Sequence, residues 1–390
     1  MVEAVLTVNA GSSSIKFALF DVRGLHRIAS GAVDGIGTAP RFKVQGADGA
    51  VLARHDWADG AALSHEALLA PVLDWVSGHL DGAVLLGAGH RIVHGGTATG
   101  PVRLDAAALD ALTKLIPLAP LHQPHNLAGV RAVMALRDMP QVGCFDTAFH
   151  HAMPRIATSL ALPRHFADEG VRRYGFHGLS YEFIARQLRA VAPDAGRVIA
   201  AHLGNGASLC AMRDGRSVDT TMGMTALDGL VMGTRCGAID PGAVLYLMQA
   251  RGMDADAVLH LLYEQSGLLG VSGVSADMRV LMASRDPHAA EAIDLFAYRA
   301  AQGVGALAAS LDGLDTLVFT AGIGEHVALV RAAICARLGW LGVSLDDAAN
   351  ARHAGVISAS HGRVTVRVIP TDEEATIARH CLEVLRPVAA

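Results

Sequence analysis

Lysine is scarce: the 390-residue chain has only Lys16, Lys43 and Lys114, and none precedes serine or threonine. A Walker A loop, G-x-x-x-x-G-K-[ST], is thereby excluded, and no G-x-G-x-x-G follows a strand-like run. Cysteine is also sparse. Cys144, Cys210, Cys236, Cys335 and Cys381 are odd in number, scattered and without a C-x-x-C pair. That pattern speaks for small core residues in a reducing compartment, so a cytoplasmic protein is expected. The net charge of −5 carries no basic run, which argues against nucleic acid or an anionic membrane as partner. No apolar run approaches the ~18–20 residues of a membrane span. The first residues enter a strand without a basic segment followed by an apolar one, so no signal peptide is expected.

What is present suits a large globular protein. Hydrophobic residues make up 52% of a chain long enough for two cores. The stretch Val5 to Phe20, VLTVNAGSSSIKFALF, organises the rest. Val5, Leu6 and Val8 read as a strand, Asn9 to Ser14 as a turn of small residues, and Ile15, Phe17, Leu19 and Phe20 as a second strand. Such a hairpin offers backbone N–H groups, three hydroxyls and the ammonium of Lys16 to an anion, typically phosphate. An ordinary polar hairpin would look the same. Val198 to Gly215 repeats the device: strand VIAAHL, turn Gly204 to Ser208, strand LCAMR. The repeat sets Gly11 on Gly204 and Ser12 on Asn205. Two such units imply duplicated domains holding one nucleotide.

Strands and helices alternate throughout, which places the chain in the α/β class. Helical spacing occurs at Leu68, Val72 and Val76; at Leu109, Leu112 and Leu115; and after Asn126, read as an N-cap, at Leu127, Val130 and Met134. Ser180 is read as the cap of a helix burying Tyr181, Ile184, Leu188 and Val191. A long helix is predicted over 292–311. Near the end, Thr371 and Glu374 fit a capping box, which leaves Glu373 without a structural task.

Several polar residues interrupt this frame. Arg91 lies in the strand 84–94 and needs an anionic partner, whether a ligand or an Asp/Glu side chain. His90 and His94 have ligand-like spacing, but packed histidines are the simpler reading. His122 sits in the proline-bounded loop LAPLHQPHN. Asp146 ends a strand, where α/β proteins place active groups. His177 stands in the glycine-punctuated loop RRYGFHGLS. Arg235 is the one basic residue of the Gly/Thr-rich stretch 219–241, a candidate for stabilising a phosphoryl group. Gly322 and Gly324 follow the strand 314–320 and permit close approach of a ligand.

Taken in order, N-A-G-S-S-S-I-K-F, G-H-R-I-V-H-G-G, A-P-L-H-Q-P, F-D-T-A-F-H, R-R-Y-G-F-H-G, H-L-G-N-G-A-S, G-T-R-C-G, F-T-A-G-I-G-E and P-T-D-E-E-A resemble the blocks of acetate kinases. The resemblance covers the chain from Asn9 to Glu374. It implies an α/β fold of two duplicated ribonuclease-H-like domains of the actin-like ATPase type around a central cleft. The expected domains are 1–147 with a C-terminal helix 371–390, and a nucleotide-binding domain 148–370. It also implies a homodimer and a reversible, magnesium-dependent transfer from ATP to acetate, giving ADP and acetyl phosphate; manganese could replace magnesium.

Carried over by position, the resemblance makes Asn9 and Glu373 the metal-site residues, with Lys16, Ser12 and Ser14 at the phosphates. Arg91 would bind the substrate anion, and Val93, Leu121 and Phe176 would line a methyl pocket. His122, His177 and Arg235 would stabilise the transferring phosphoryl group, and Asp146 would be the active-site acid. The ATP-holding stretches would be His202, Leu203, Gly204, Asn205 and Gly206; Asp277, Met278 and Arg279; and Gly322, Ile323, Gly324, Glu325 and His326. Acetate is already ionised at neutral pH, so Asp146 is expected to position magnesium or the arginines and not to remove a proton.

Three positions depart from the family pattern. Gln123 and His326 each stand where asparagine is usual, and Ala226 stands where many relatives have proline in the pocket wall. A roomier acyl pocket would admit propionate, since one methylene is worth only ~1–3 kcal/mol. A propionate or mixed short-chain acyl kinase is the alternative within the class. An actin- or chaperone-like ATPase is the alternative outside it, though no insertion or peptide-binding segment is evident.

Overall fold

A computed structural model describes residues 3–79 and 84–386. The chain divides into two compact units, Met1–His151 with Asp372–Ala390, and Ala152–Thr371. Each is built on one twisted sheet.

The first sheet contains β1 (Glu3–Ala10), β2 (Ser14–Asp21), β3 (Arg27–Asp34), β4 (Arg41–Gly46), β5 (Val51–Asp56), β6 (Val84–Ile92), β7 (Val102–Arg103) and β8 (Gln141–Phe145), in the order β5-β4-β3-β2-β1-β6-β8-β7. Antiparallel pairing runs from β1 out to β5, and β1, β6 and β8 are parallel. On one face the strands bury Leu6, Val8, Phe17 and Leu19 against Leu69, Val72 and Val76 of the helix His65–Gly78. The C-terminal helix Glu373–Leu385 covers the same sheet elsewhere. It comes close because β6 carries glycines where it passes. A Cβ on Gly89 would stand 2.6 Å from the Ile377 side chain, and one on Gly87 2.7 Å from that of Leu385.

The second sheet contains β9 (Arg197–Leu203), β10 (Ala207–Arg213), β11 (Arg216–Thr220), β12 (Thr316–Thr320) and β13 (Thr365–Val368), in the order β11-β10-β9-β12-β13. Its pairing senses match β3-β2-β1-β6-β8 strand for strand, antiparallel on one side of the central strand and parallel on the other. The duplication read from the two hairpins thus extends to whole sheets. Ala10 pairs with Ile15 and Leu203 with Ala207, so Gly11 does correspond to Gly204 and Ser12 to Asn205. The second turn is shorter by one residue. The long helix runs from Pro287 to Leu311, capped by the Asp286 side chain, and buries Phe296, Ala300, Val304 and Leu307. It begins five residues before the predicted 292, at a capping Asp followed by a proline that suits the first helical position.

Other local readings are corrected. Asn126 lies inside the helix Gln123–Leu136, where its side chain accepts from Val93 N (2.9 Å) and donates to Ala10 O (2.7 Å). It therefore ties the ends of β1 and β6 together. His177, not Ser180, precedes the helix Gly178–Val191, and Val191 is exposed. Asp372, not Thr371, caps the last helix by accepting from Ala375 N. Glu374 instead pairs with Arg27, as does Asp372.

Candidate active site

In the first unit, the C-terminal ends of the adjacent parallel strands β6 and β8 bring Arg91 and Asp146 together. Asp146 is almost fully buried, and its carboxylate accepts from Arg91 Nε (3.1 and 3.2 Å) and Nη2 (2.7 Å). Glu373 Oε2 lies 3.9 Å from the same Nε. Burial opposes the charge on Arg91, but the two carboxylates more than offset it and hold the guanidinium pKa above its ordinary value. Arg91 thus has the acidic partner its burial required. Nη1 takes no part in these contacts, so the fork retains N–H groups that can meet a second anion.

The flanking residues are fixed by Gln123, which is fully buried. Its amide accepts from His94 N (3.1 Å) and donates to His94 O (2.9 Å). A position where asparagine was the family expectation is therefore a backbone clamp on the strand that follows Arg91. It also starts the helix directly after His122. Asn9 and Lys16 face each other in the β1–β2 register, and Ser12 is exposed at the turn.

His90 is held by Gln141, whose amide, oriented to satisfy its surroundings, donates to His90 Nε2 (2.7 Å). Burial lowers the pKa of His90 to about 4, partly opposed by Gln141, and burial alone does the same to His94. Both rings are neutral in the fold. In an unfolded chain they would take up protons below about 6.5, so folding stability falls as pH drops from there toward 4. Each ring contributes about 1.4 kcal/mol of loss per pH unit in that window. The thermal midpoint should drop steeply between pH 7 and 5, and His90→Gln should flatten part of that slope. An unchanged slope in the variant would show that His90 is not neutral in the fold.

In the second unit, His177 has φ +57°, a left-handed conformation uncommon for a residue with a side chain. Its ring stacks on His202 (centroids 4.2 Å, interplanar angle 18°). His177 Nδ1 bonds Ser208 Oγ at 2.8 Å, and that hydroxyl also bonds Tyr181 OH at 2.5 Å. His202 Nδ1 is held by Ser180 Oγ at 2.9 Å, and Ser180 by Thr371 Oγ1 at 3.0 Å. The hydroxyl read from sequence as a helix cap is thus a link between two functional segments.

Arg235 Nη1 donates to Ala226 O (2.7 Å). A Cβ built on Gly206 would lie 2.9 Å from Arg235 Nη2 and 3.2 Å from His177 Nε2. Glycine is what lets both side chains close on the hairpin turn, so Gly206, His177 and Arg235 form one cluster. Phe176, next to His177, is buried.

Beside that turn lies a pocket of about 610 Å3 walled by three separate segments: Gly204 and Asn205, Ala276 to Arg279, and Gly322, Ile323, His326 and Val327. Asp277 caps the short helix Met278–Ala283 and forms an ion pair with Arg279 at 2.6 Å. His202, Leu203, Gly206, Gly324 and Glu325 do not line this pocket. Glu325 fastens the third segment, its Oε1 accepting from Ala321 N (2.7 Å) and Thr371 N (3.1 Å). Gly322 has open space where a Cβ would stand. Gly322→Leu should therefore fold normally yet fill the pocket, raising the KM for a nucleotide by about 100-fold or more. Unchanged nucleotide affinity would show that no nucleotide binds there.

Tyr181 carries no motif-level signal, and although Ser180 and Ser208 end the segments RRYGFHGLS and H-L-G-N-G-A-S, their bonds to His202 and His177 are not readable there, since hydroxyls beside a turn are common. The sequence cue for Arg331 is clearer: an arginine on the apolar stripe Val330, Ile334 and Cys335 of the helix Ala328–Ala336, buried in the fold.

The chain matches the profile of the Acetokinase family over residues 4–379. It is 51% identical over 391 residues to the acetate kinase of Rhodopseudomonas palustris, an alignment spanning 97% of this chain and 98% of that protein. Among solved structures it is similar to the acetate kinase of Porphyromonas gingivalis (36% identity, TM-score 0.85, covering 98% of this chain and 100% of that one). It is similar also to a propionate kinase from Francisella tularensis (34% identity, TM-score 0.89, covering 97% and 98%).

Proposed function

The chain belongs to the acetokinase family, and from that premise we propose how its residues transfer a phosphoryl group from ATP to acetate. The reaction is that of an ATP-dependent acetate kinase. What carries the assignment of roles is the convergence of three chain-separated segments, 204–205, 276–279 and 322–327, on one pocket beside the turn where His177 and Arg235 meet. That pocket takes the nucleoside, and the hairpin turns, with Ser12, Ser14 and Lys16, take the phosphates.

Acetate needs no base, because its carboxylate is already the nucleophile. Arg91 binds it through the part of the guanidinium that Asp146 leaves available, and Asp146 fixes the plane of the fork. The family resemblance assigns Val93, Leu121 and Phe176 to the methyl group. As the terminal phosphoryl group of ATP passes to the acetate oxygen and ADP departs, negative charge spreads over its equatorial oxygens, and positioned donors lower the barrier. Arg235, His177 and His122 are those donors. Ser208 and Tyr181 hold the His177 ring through Nδ1, so Nε2 is the nitrogen that serves the phosphoryl oxygen.

Magnesium fits the donor set. Asn9 and Glu373 offer an amide and a carboxylate oxygen, hard donors of the kind Mg2+ takes when phosphates and water complete its shell. Glu373 is also free of the capping task, which Asp372 performs. When bound, the ion neutralises phosphate charge.

A homodimer is supported by the helix Pro241–Gln249, which buries none of its residues. Leu245, Tyr246 and Met248 there, with Ile239 just before it, are all exposed, an apolar face suited to a second copy of the chain. No helix among the described residues is long and apolar enough to cross a membrane. A cytoplasmic setting is supported by the odd number of scattered cysteines, which form no C-x-x-C pair.

Ala226 is buried and supplies the carbonyl that anchors Arg235. Proline there would keep that carbonyl, so the change to alanine alters pocket volume without loosening the arginine. The test is kcat/KM with acetate, propionate and butyrate. Acetate should lead with propionate within about 10-fold; propionate in front would make this a propionate kinase.

A further inference from the structure

Arg331 is fully buried, and none of its five hydrogen bonds goes to a carboxylate. Nη1 donates to the carbonyls of Gly324 and Glu325, each at 2.8 Å. Nε donates to Asn350 Oδ1 and Nη2 to Asn350 O, again at 2.8 Å. Nη2 also donates to His353 Nδ1 at 2.9 Å. A buried guanidinium without an acid is a costly way to join two helices, and apolar side chains commonly do that as well or better. What an apolar residue could not do is bind the last carbonyls of the turn Ala321–His326, which lack helical partners.

That turn is under constraint. Ala321 has φ +65°, a left-handed conformation disfavoured for any residue with a Cβ. Glu325 grips its amide from within, and Arg331 grips Gly324 and Glu325 from beneath. The residues so held, Gly322, Ile323 and His326, form one wall of the nucleoside pocket. His353, which receives the fifth bond, packs edge-on to His326 (centroids 6.4 Å, interplanar angle 74°).

We propose that Arg331 is a positioning residue for the nucleotide: together with Asn350 and His353 it fixes the backbone of residues 321–326, so that their pocket-facing atoms are already set when ATP arrives. The proposal rests on the reading of this pocket as the nucleoside site. A residue that only staples helices would affect thermal stability and leave nucleotide affinity alone. A positioning residue acts on nucleotide affinity and spares the carboxylate and the chemical step.

The test measures ADP affinity by calorimetry, and the KM for ATP, the KM for acetate and kcat at saturating ATP, in Arg331→Met, Arg331→Lys and His353→Ala of the full chain. Arg331→Met should weaken ADP by about 10-fold or more, with kcat and the acetate KM within about 2-fold. Arg331→Lys should recover part of the loss, because an ammonium can still reach the two carbonyls. His353 is exposed, so His353→Ala should fold even where Arg331→Met does not, and should weaken ADP by about 2- to 5-fold. Wild-type ADP affinity in folded Arg331→Met, or in His353→Ala if the former does not fold, overturns the proposal. Gly322→Leu separates the two failures. If it too leaves ADP unaffected, the pocket reading has failed; if it blocks ADP while the other variants do not, only the role of Arg331 has.

Discussion

Arg235→Ala is expected to lower kcat by about 10³–10⁵, the usual effect of losing a guanidinium that serves the phosphoryl transition state, with the KM for acetate changed little. The expectation comes from placement. Arg235 is anchored by one nitrogen to Ala226 O, and its other terminal nitrogen reaches Gly206, where it meets His177. The unit Ala152–Thr371 contains no lysine, so no ammonium within it could take over. Arg235→Lys should restore little, because an ammonium is a compact point charge and lacks the planar fork whose separate nitrogens face Ala226 O and Gly206. Gly206→Ala gives the same test from the other side. Its methyl group would crowd Arg235 and His177 at 2.9 and 3.2 Å, so kcat should fall although neither side chain is replaced. Full turnover in Arg235→Ala would move phosphoryl stabilisation elsewhere.

Asp146→Asn is expected to lower kcat/KM for acetate by about 10- to 100-fold, mainly through KM. It exchanges a charge-assisted fork for an amide that offers a donor where Arg91 needs an acceptor. Asp146→Ala should go further and destabilise the protein by about 3–5 kcal/mol, the usual result of leaving one partner of a buried pair alone. Arg91→Ala should share the KM defect. The decisive detail is magnesium. If Asp146 acts by orienting Arg91, saturating magnesium restores neither variant. Full activity of Asp146→Asn at high magnesium would show that its bond to Arg91 does not matter to the reaction.

Much of this architecture was legible in the residues. The two hairpins with turns of small residues, repeated nearly two hundred residues apart, announced a duplication that reaches the strand order of both sheets. Arg91 was legible as a guanidinium needing an anion, but not its partner. Asp146 lies 55 residues away and meets it only because β6 and β8 are parallel neighbours. Strands β3 to β5 carry a weaker signal, since their apolar positions are diluted by Arg, Lys, Gln and Gly. Helix starts were the least secure. Asn126, Ser180 and Thr371 all look like caps locally, yet tertiary contacts engage all three side chains elsewhere, and Asp372 makes the cap that Thr371 was expected to make. Hydroxyl and amide side chains suit caps and long-range links equally well, and spacing alone does not separate the two uses.

The central claim is that ATP is split only when a carboxylate is present to receive the phosphoryl group. Purified protein with ATP and magnesium should form ADP at a negligible rate. Adding acetate should start turnover, with one acyl phosphate, trapped by hydroxylamine as the hydroxamate, for each ADP. ADP formed at one rate with or without acetate, and no hydroxamate, would contradict the assignment and make this an ATPase of the same fold.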